Sequence, residues 1–204
     1  MTEPLPSAPA ASRRKLIIGT SAAAAIAAVA LVVFVLPAEF GIDPTGAGRA
    51  LGLTKLAEPG PSEEQIRGAK RTGVLTLSEQ PLPRDDWADQ WQITLAPYEG
   101  IELKYTLDQG GAIDFEWDAT AAVEYDLHAH PFEGGTELTE SYAVDDGPRM
   151  QGRYVAAFTG LHGWFWQNRT MNDVTVTVRA AGPIKGSTVF EMGVARERVL
   201  TPPE

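Results

Sequence analysis

The chain contains no cysteine. That excludes thiol catalysis, thiolate metal sites and disulfide staples, so any exported part must hold together by its hydrophobic core alone. Histidine is almost as scarce, with three residues in 204, and basic residues are outnumbered 17 to 27 by acidic ones. Catalytic signatures are missing too: there is no GxSxG, no HExxH and no phosphate-binding loop. Carboxylates are so common along the chain that no pair stands out as a glycosidase couple, and the sequence is expected to be non-enzymatic. The glycines Gly46, Gly48 and Gly52 follow no strand and lack dinucleotide-loop spacing.

Charge is absent altogether from Leu16 to Leu36, LIIGTSAAAAIAAVALVVFVL. At about 1.5 Å per residue this run makes a helix of roughly 31 Å, which matches the hydrocarbon thickness of a bilayer. Arg13, Arg14 and Lys15 precede it, whereas Glu39 and Asp43 follow it. The positive-inside rule then leaves residues 1–15 as a disordered cytoplasmic tail and sends the remainder outward. The rival is a cleaved signal, because Ser12-Arg13-Arg14-Lys15-Leu16-Ile17 resembles a twin-arginine export sequence. The apolar run is longer than the roughly 7 to 15 residues of a signal core, and Leu36 is not the small residue a cut requires. The expectation is therefore an uncleaved anchor. Beyond residue 36 the chain carries about −12, since the first 36 residues hold three of the bases and only Glu3 of the acids. Such a field repels nucleic acid and anionic headgroups.

Asp43 followed by Pro44 predicts the start of a short juxtamembrane helix, and Ala57 to Thr72 reads as a polar linker. From residue 73 the texture becomes alternating and is broken by turn residues, which predicts an all-β domain over 73–182 with a C-terminal extension over 183–204. The expected strands are Gly73 to Leu77, Asp89 to Ala96, Gly100 to Leu107, Ala112 to Asp118, Ala121 to Ala129, Leu138 to Val144, Gly152 to Thr159, Gly163 to Asn168 and Val174 to Ala180. Turns are expected at Pro97 to Gly100, Asp108 to Gly111 and Asp145 to Pro148. In Ile113 to Asp118 and again in Val123 to His130, odd positions are apolar and even ones are acidic or histidine. One face is therefore core and the other wet. Paired as a hairpin, these two strands would set carboxylates opposite one another unless a basic side chain or a cation intervenes.

Several stretches carry a resemblance. Leu95-Ala96-Pro97-Tyr98-Glu99-Gly100-Ile101-Glu102-Leu103-Lys104-Tyr105, the Asp114 to Trp117 strand, Tyr125-Asp126-Leu127-His128, and Gly160-Leu161-His162-Gly163-Trp164-Phe165-Trp166-Gln167-Asn168 before Val174 to Val178 resemble the GOLD-like (Golgi-dynamics) β-sandwich. The whole layout from residue 13 to 180, with its LPAEFGIDPTG segment and HGWFWQN strand, is similar to bacterial single-pass transmembrane anchor proteins. The resemblance implies a non-catalytic interaction module in the periplasm, tethered to the inner membrane and accessory to an envelope or transport complex. It also implies an antiparallel, jelly-roll-like β-sandwich and an unidentified membrane or periplasmic protein as partner.

Three residue sets remain. His128 and His130 project from the same strand face and, with Asp126 and His162, can be ligands for a zinc, copper or nickel ion; the competing reading is two surface histidines and a hydrogen-bonded His162, with no cofactor. Trp164 and Trp166 share one face of their strand, either as core or as a partner-contact patch. Asn168-Arg169-Thr170 matches a glycosylation acceptor but reads better as a turn that closes the strand.

Overall fold

The computed structural model describes residues 12–57 and 60–203. The expected cytoplasmic tail lies outside the described residues up to position 11, as do two linker positions, 58 and 59. The chain divides into two compact units, one ending at Gly60 and the other beginning at Pro61.

The first unit is a continuous apolar helix followed by two short turns of helix. It comprises α1 (Arg13–Ala30), a π-helical stretch (Leu31–Val35) and α2 (Leu36–Phe40), together 28 residues long and apolar enough to cross a membrane. Ser12 caps its start by accepting from the Lys15 amide, and Gly41 ends it in the left-handed conformation at φ 66°. No residue of α1 is buried. The juxtamembrane helix starts later than Asp43-Pro44 suggested, at α3 (Ala47–Ala50), followed by α4 (Thr54–Ala57). Asp43 still acts as a cap, but from a distance: its carboxylate accepts the Arg49 amide at 2.8 Å across a bend.

The second unit opens with α5 (Glu63–Gly68), where a linker was expected. A reciprocal capping box between Ser62 and Gln65 nucleates it. Gly68 lies directly against the Ser141 carbonyl, where a Cβ would clash with backbone. Nine antiparallel strands follow: β1 (Leu75–Leu77), β2 (Asp89–Leu95), β3 (Gly100–Leu107), β4 (Ala112–Pro131), β5 (Glu140–Val155), β6 (Gly160–Gln167), β7 (Val174–Ala181), β8 (Gly186–Glu191) and β9 (Val194–Arg198). The main path of the sheet runs β1-β5-β4-β6-β3-β8-β9, and β2 and β7 branch from β4.

One expected break between strands and one expected turn do not exist. Ala112 to Asp118 and Ala121 to Ala129 are halves of one 20-residue strand, and Asp145 to Pro148 lies inside β5. The two long strands pair along both halves, with an irregularity between Asp118 and Val123. There the sheet forks: Asp114 to Ala119 bond β7, and Glu124 to Pro131 bond β6. The opposition of carboxylates expected of a hairpin does not arise, because the two segments are one strand and their acidic residues meet arginines of neighbouring segments. Asp114 accepts from Arg153 at 3.1 Å and from Arg84 at 2.5 Å, and Glu116 accepts from Arg179 at 3.1 Å.

Apolar parity survives the fork. Ile113, Phe115 and Trp117 are buried before it, and Val123, Leu127 and Ala129 after it. The rings of the first half of β4 meet those of β6: Phe115 lies 4.8 Å from Trp164, and Trp117 stands edge-on to Trp166 at 5.8 Å. The turn before β3 forms as expected, with Tyr98 at φ 63° and the Glu99 amide bonded to the Ala96 carbonyl. Residues 183–204, expected as an extension, supply β8 and β9, which continue the sheet on the edge of β3.

Candidate functional site

On the face of the sheet turned away from the aromatic core, β4 contributes Glu124, Asp126, His128 and His130 and β3 contributes Glu102 and Lys104. The register is what joins them. Lys104 and His128 each pair with Gly163 of the intervening β6, and Glu102 and Asp126 each pair with Phe165. Neighbouring strands stand about 4.8 Å apart, so Lys104 and His128 are separated by roughly twice that. Gly163 has no side chain between them, and the Lys104 stem crosses over it until Nζ donates to the His128 carbonyl at 2.8 Å. A Cβ on Gly163 would meet the Leu103 carbonyl.

Lys104 is wholly buried. Burial lowers its pKa to about 8, and the adjacent Glu102 carboxylate, 3.1 Å away, limits the fall. For Glu102 the balance is reversed. Burial pushes its carboxyl up, but the close contact with the His128 ring and the Lys104 charge prevail and hold it at about 2. Burial also raises Asp126 and lowers His130, the latter to about 4 with the Lys104 charge assisting.

The His128 ring is held at both ends. Nδ1 lies 3.1 Å from the Asp126 carbonyl, and Nε2 lies 3.0 Å from Glu102 Oε1. Asp126 accepts from the Ser141 hydroxyl with one oxygen, and its other oxygen is buried without a partner among the described residues. The His130 ring lies 6.2 Å from that of His128 and makes no hydrogen bond among the described residues. One ligand atom each from Glu102, His128 and His130 fall within 4.8 Å of one another. A cleft of about 350 Å³ lined by Ser62, Glu64, Thr139 and Ser141 reaches down to Asp126 and His128, so this corner is open to solvent.

His162 is not part of this group. It lies on the opposite, core-facing side of β6, opposite Tyr105 on one flank and Ala129 on the other. Tyr154 donates its hydroxyl proton to Nδ1 at 2.7 Å, and Nε2–H donates to the Phe158 carbonyl at 2.9 Å. Every position of the neutral ring is thereby used, and no lone pair is left for an ion. The parity of β6 decides this: His162 shares its face with Trp164 and Trp166. Those two tryptophans are also fully buried, so they are core and not a partner-contact patch. Asn168 closes the strand as a turn residue. Its amide donates to the carbonyls of Leu95, Ala96 and Asn172, and its oxygen accepts from Thr170.

Burial lowers the pKa of His162 from 6.5 to about 4, against the bond to Phe158 that favours the charged form. Tyr154, Glu140, Lys104 and His130 are the other titratable groups that bear on it. Below pH 6.5 the unfolded chain takes up a proton that the folded chain refuses until about pH 4. The His162 contribution is therefore complete above pH 6.5 and is lost as the pH falls to about 4, for a total of about 3 kcal/mol. Denaturant unfolding between pH 7.5 and 4 should show this loss shrinking in His162→Gln, which keeps a donor and an acceptor but does not titrate. An unchanged pH profile in the variant would place the acid sensitivity elsewhere.

Sequence reasoning missed Glu102 and Lys104. Alternation in Ile101 to Leu107 puts both on the polar face of their strand, but only the pairing of β3, β6 and β4 brings them to His128. The sequence matches no protein-family model and no curated protein, so the chain's own geometry is the basis for any functional reading.

Proposed function

We propose that this chain is a single-pass inner-membrane protein with a cytoplasmic N-terminus, presenting a GOLD-like antiparallel β-sandwich to the periplasm as a non-catalytic interaction module. Its role on this reading is accessory to an envelope or transport complex, with the partner another membrane or periplasmic protein. The observation that carries the reading is α1: a helix with no buried residue that opens on Arg13, Arg14 and Lys15 and is apolar beyond them. Apolar surface on that scale is stable only in lipid or against other protein. The fork in β4 supports the sandwich, because rings from the two branches pack on one another.

The absence of cysteine makes the test clean. In a bacterial host, a membrane-impermeant maleimide applied to spheroplasts should label Met171→Cys, whose parent side chain is 79% exposed, and should label Ser12→Cys only after lysis. Reversed labelling, or release of the chain without detergent, contradicts the topology. Solubilised in mild detergent from native membranes, the chain should migrate with a second protein; migration alone or only with itself contradicts the interaction role.

A further inference from the structure

We infer that Glu102, His128 and His130 form a binding site for one divalent transition-metal ion of the zinc class. This goes beyond the anchoring proposal and does not depend on it. Three features of the site point to an ion.

The first is the donor set. Two imidazoles and one carboxylate within 4.8 Å of one another form the three-ligand arrangement that zinc accepts, with the fourth position left to water. All three come from the polar face of β3 and β4, which both pair with the intervening β6, so backbone hydrogen bonds fix their spacing.

The second feature is the His128 ring. Its Nδ1 faces the Asp126 carbonyl, which can only accept, so Nδ1 carries the proton and Nε2 carries the lone pair. Holding one ring nitrogen on a backbone carbonyl is how a metal-binding histidine is oriented. Yet Nε2 then points its lone pair at the Glu102 carboxylate from 3.0 Å, a contact between two acceptors. A cation bound to both atoms turns that repulsion into coordination. The alternative is a second proton on the ring, which would make the pair a plain ion pair.

The third feature is His130. An ion pair between His128 and Glu102 has no use for it, and its ring has no hydrogen-bond partner among the described residues although it is half-buried beside them. As a third ligand it has a role. The cleft beside α5 gives an ion a route to His128.

Lys104 bounds the affinity. Its ammonium, 3.1 Å from Glu102, stays occupied by that carboxylate and by the His128 carbonyl, and it repels an incoming cation. The site is accordingly expected to be exchangeable, with micromolar binding in place of the near-irreversible hold of a structural zinc.

The full chain, purified in non-ionic detergent and stripped with chelator, is titrated with ZnCl₂ by calorimetry in the presence of millimolar Mg²⁺, which occupies nonspecific carboxylate sites. One equivalent should bind. Cobalt(II) should give visible ligand-field bands of a nitrogen and oxygen site. His130→Ala removes no hydrogen bond, so folding is not at risk, and it should weaken zinc by about tenfold or more. His162→Gln should leave zinc binding unchanged, and Lys104→Met should tighten it. Absence of stoichiometric binding, binding indifferent to His130→Ala, or a Lys104→Met protein that binds no tighter would each overturn the assignment. Topology and partner recovery are read by separate measurements, so either proposal can fail without the other.

Discussion

Replacing Arg198 with methionine is expected to destabilise the β-unit by about 3 to 5 kcal/mol, although the residue is the final one of the last strand, β9. Its guanidinium donates to both oxygens of Asp89 at 2.7 Å, and Asp89 has no solvent exposure. The same carboxylate accepts from the Tyr105 hydroxyl at 2.7 Å and from the Thr201 amide at 2.8 Å. Two neutral donors remain after the substitution, but the countercharge is gone, and a buried carboxylate without one is costly. Arg198 also lies over the Trp91 ring and bonds Ser187, so it joins β9, β8, β2 and β3 at one point. Urea unfolding followed by tryptophan fluorescence would measure the cost, and a loss below about 1 kcal/mol would show that solvent reaches Asp89. Combining Arg198→Met with Asp89→Asn should cost less than the two singles together, because the second change removes the charge the first leaves stranded.

No reading of the sequence finds that pair. Asp89 and Arg198 are separated by 109 positions, and the segment holding Arg198 has no strong alternation. Strand parity, by contrast, is a local property and was legible. The odd positions of Ile113 to Trp117 and Val123 to Ala129 are the core side of β4, the bounds of β3 match the expected strand, and the turns at Pro97 and Asp108 sit where proline and glycine place them.

What local pattern cannot give is where a strand stops. Ala119-Thr120-Ala121-Ala122 interrupts the alternation and reads as a break, but the chain keeps going because β5 continues to bond β4 on both sides of it. Asp145-Asp146-Gly147-Pro148 has the composition of a turn and is nevertheless strand for the same reason. The linker over 57–72 misled in the opposite way: Ser62-x-x-Gln65 is a helix-start signal within a polar stretch, and a six-residue helix grew from it. For the polar cluster, the sequence displayed His128, His130 and Asp126 together because one strand carries them all. It misplaced His162 because a strand's face toward the core depends on neighbours that only the register reveals.

Truncating Trp164 tests the core assignment directly. The side chain has no exposure, lies 4.8 Å from Phe115 and stacks on Trp166 at 5.8 Å with an interplanar angle of 11°. Trp164→Ala should cost about 3 to 5 kcal/mol, combining lost burial with the cavity that paired strands cannot close around. Trp164→Phe should cost far less than its volume suggests. The indole N–H of Trp164 is buried with no acceptor among the described residues, as are those of Trp117 and Trp166, so phenylalanine gives up no hydrogen bond and removes an unpaired donor worth about 1 to 3 kcal/mol. That gain offsets much of the area lost with the second ring. The contrast is Tyr154→Phe, which removes a hydroxyl that does have a partner, His162, and so should lose stability with little change in volume. Trp164→Phe falling as low as Trp164→Ala would mean that the indole nitrogen is bonded to something, such as an enclosed water. A Trp164→Ala protein as stable as the parent would return the residue to the surface and reopen its role in partner contact.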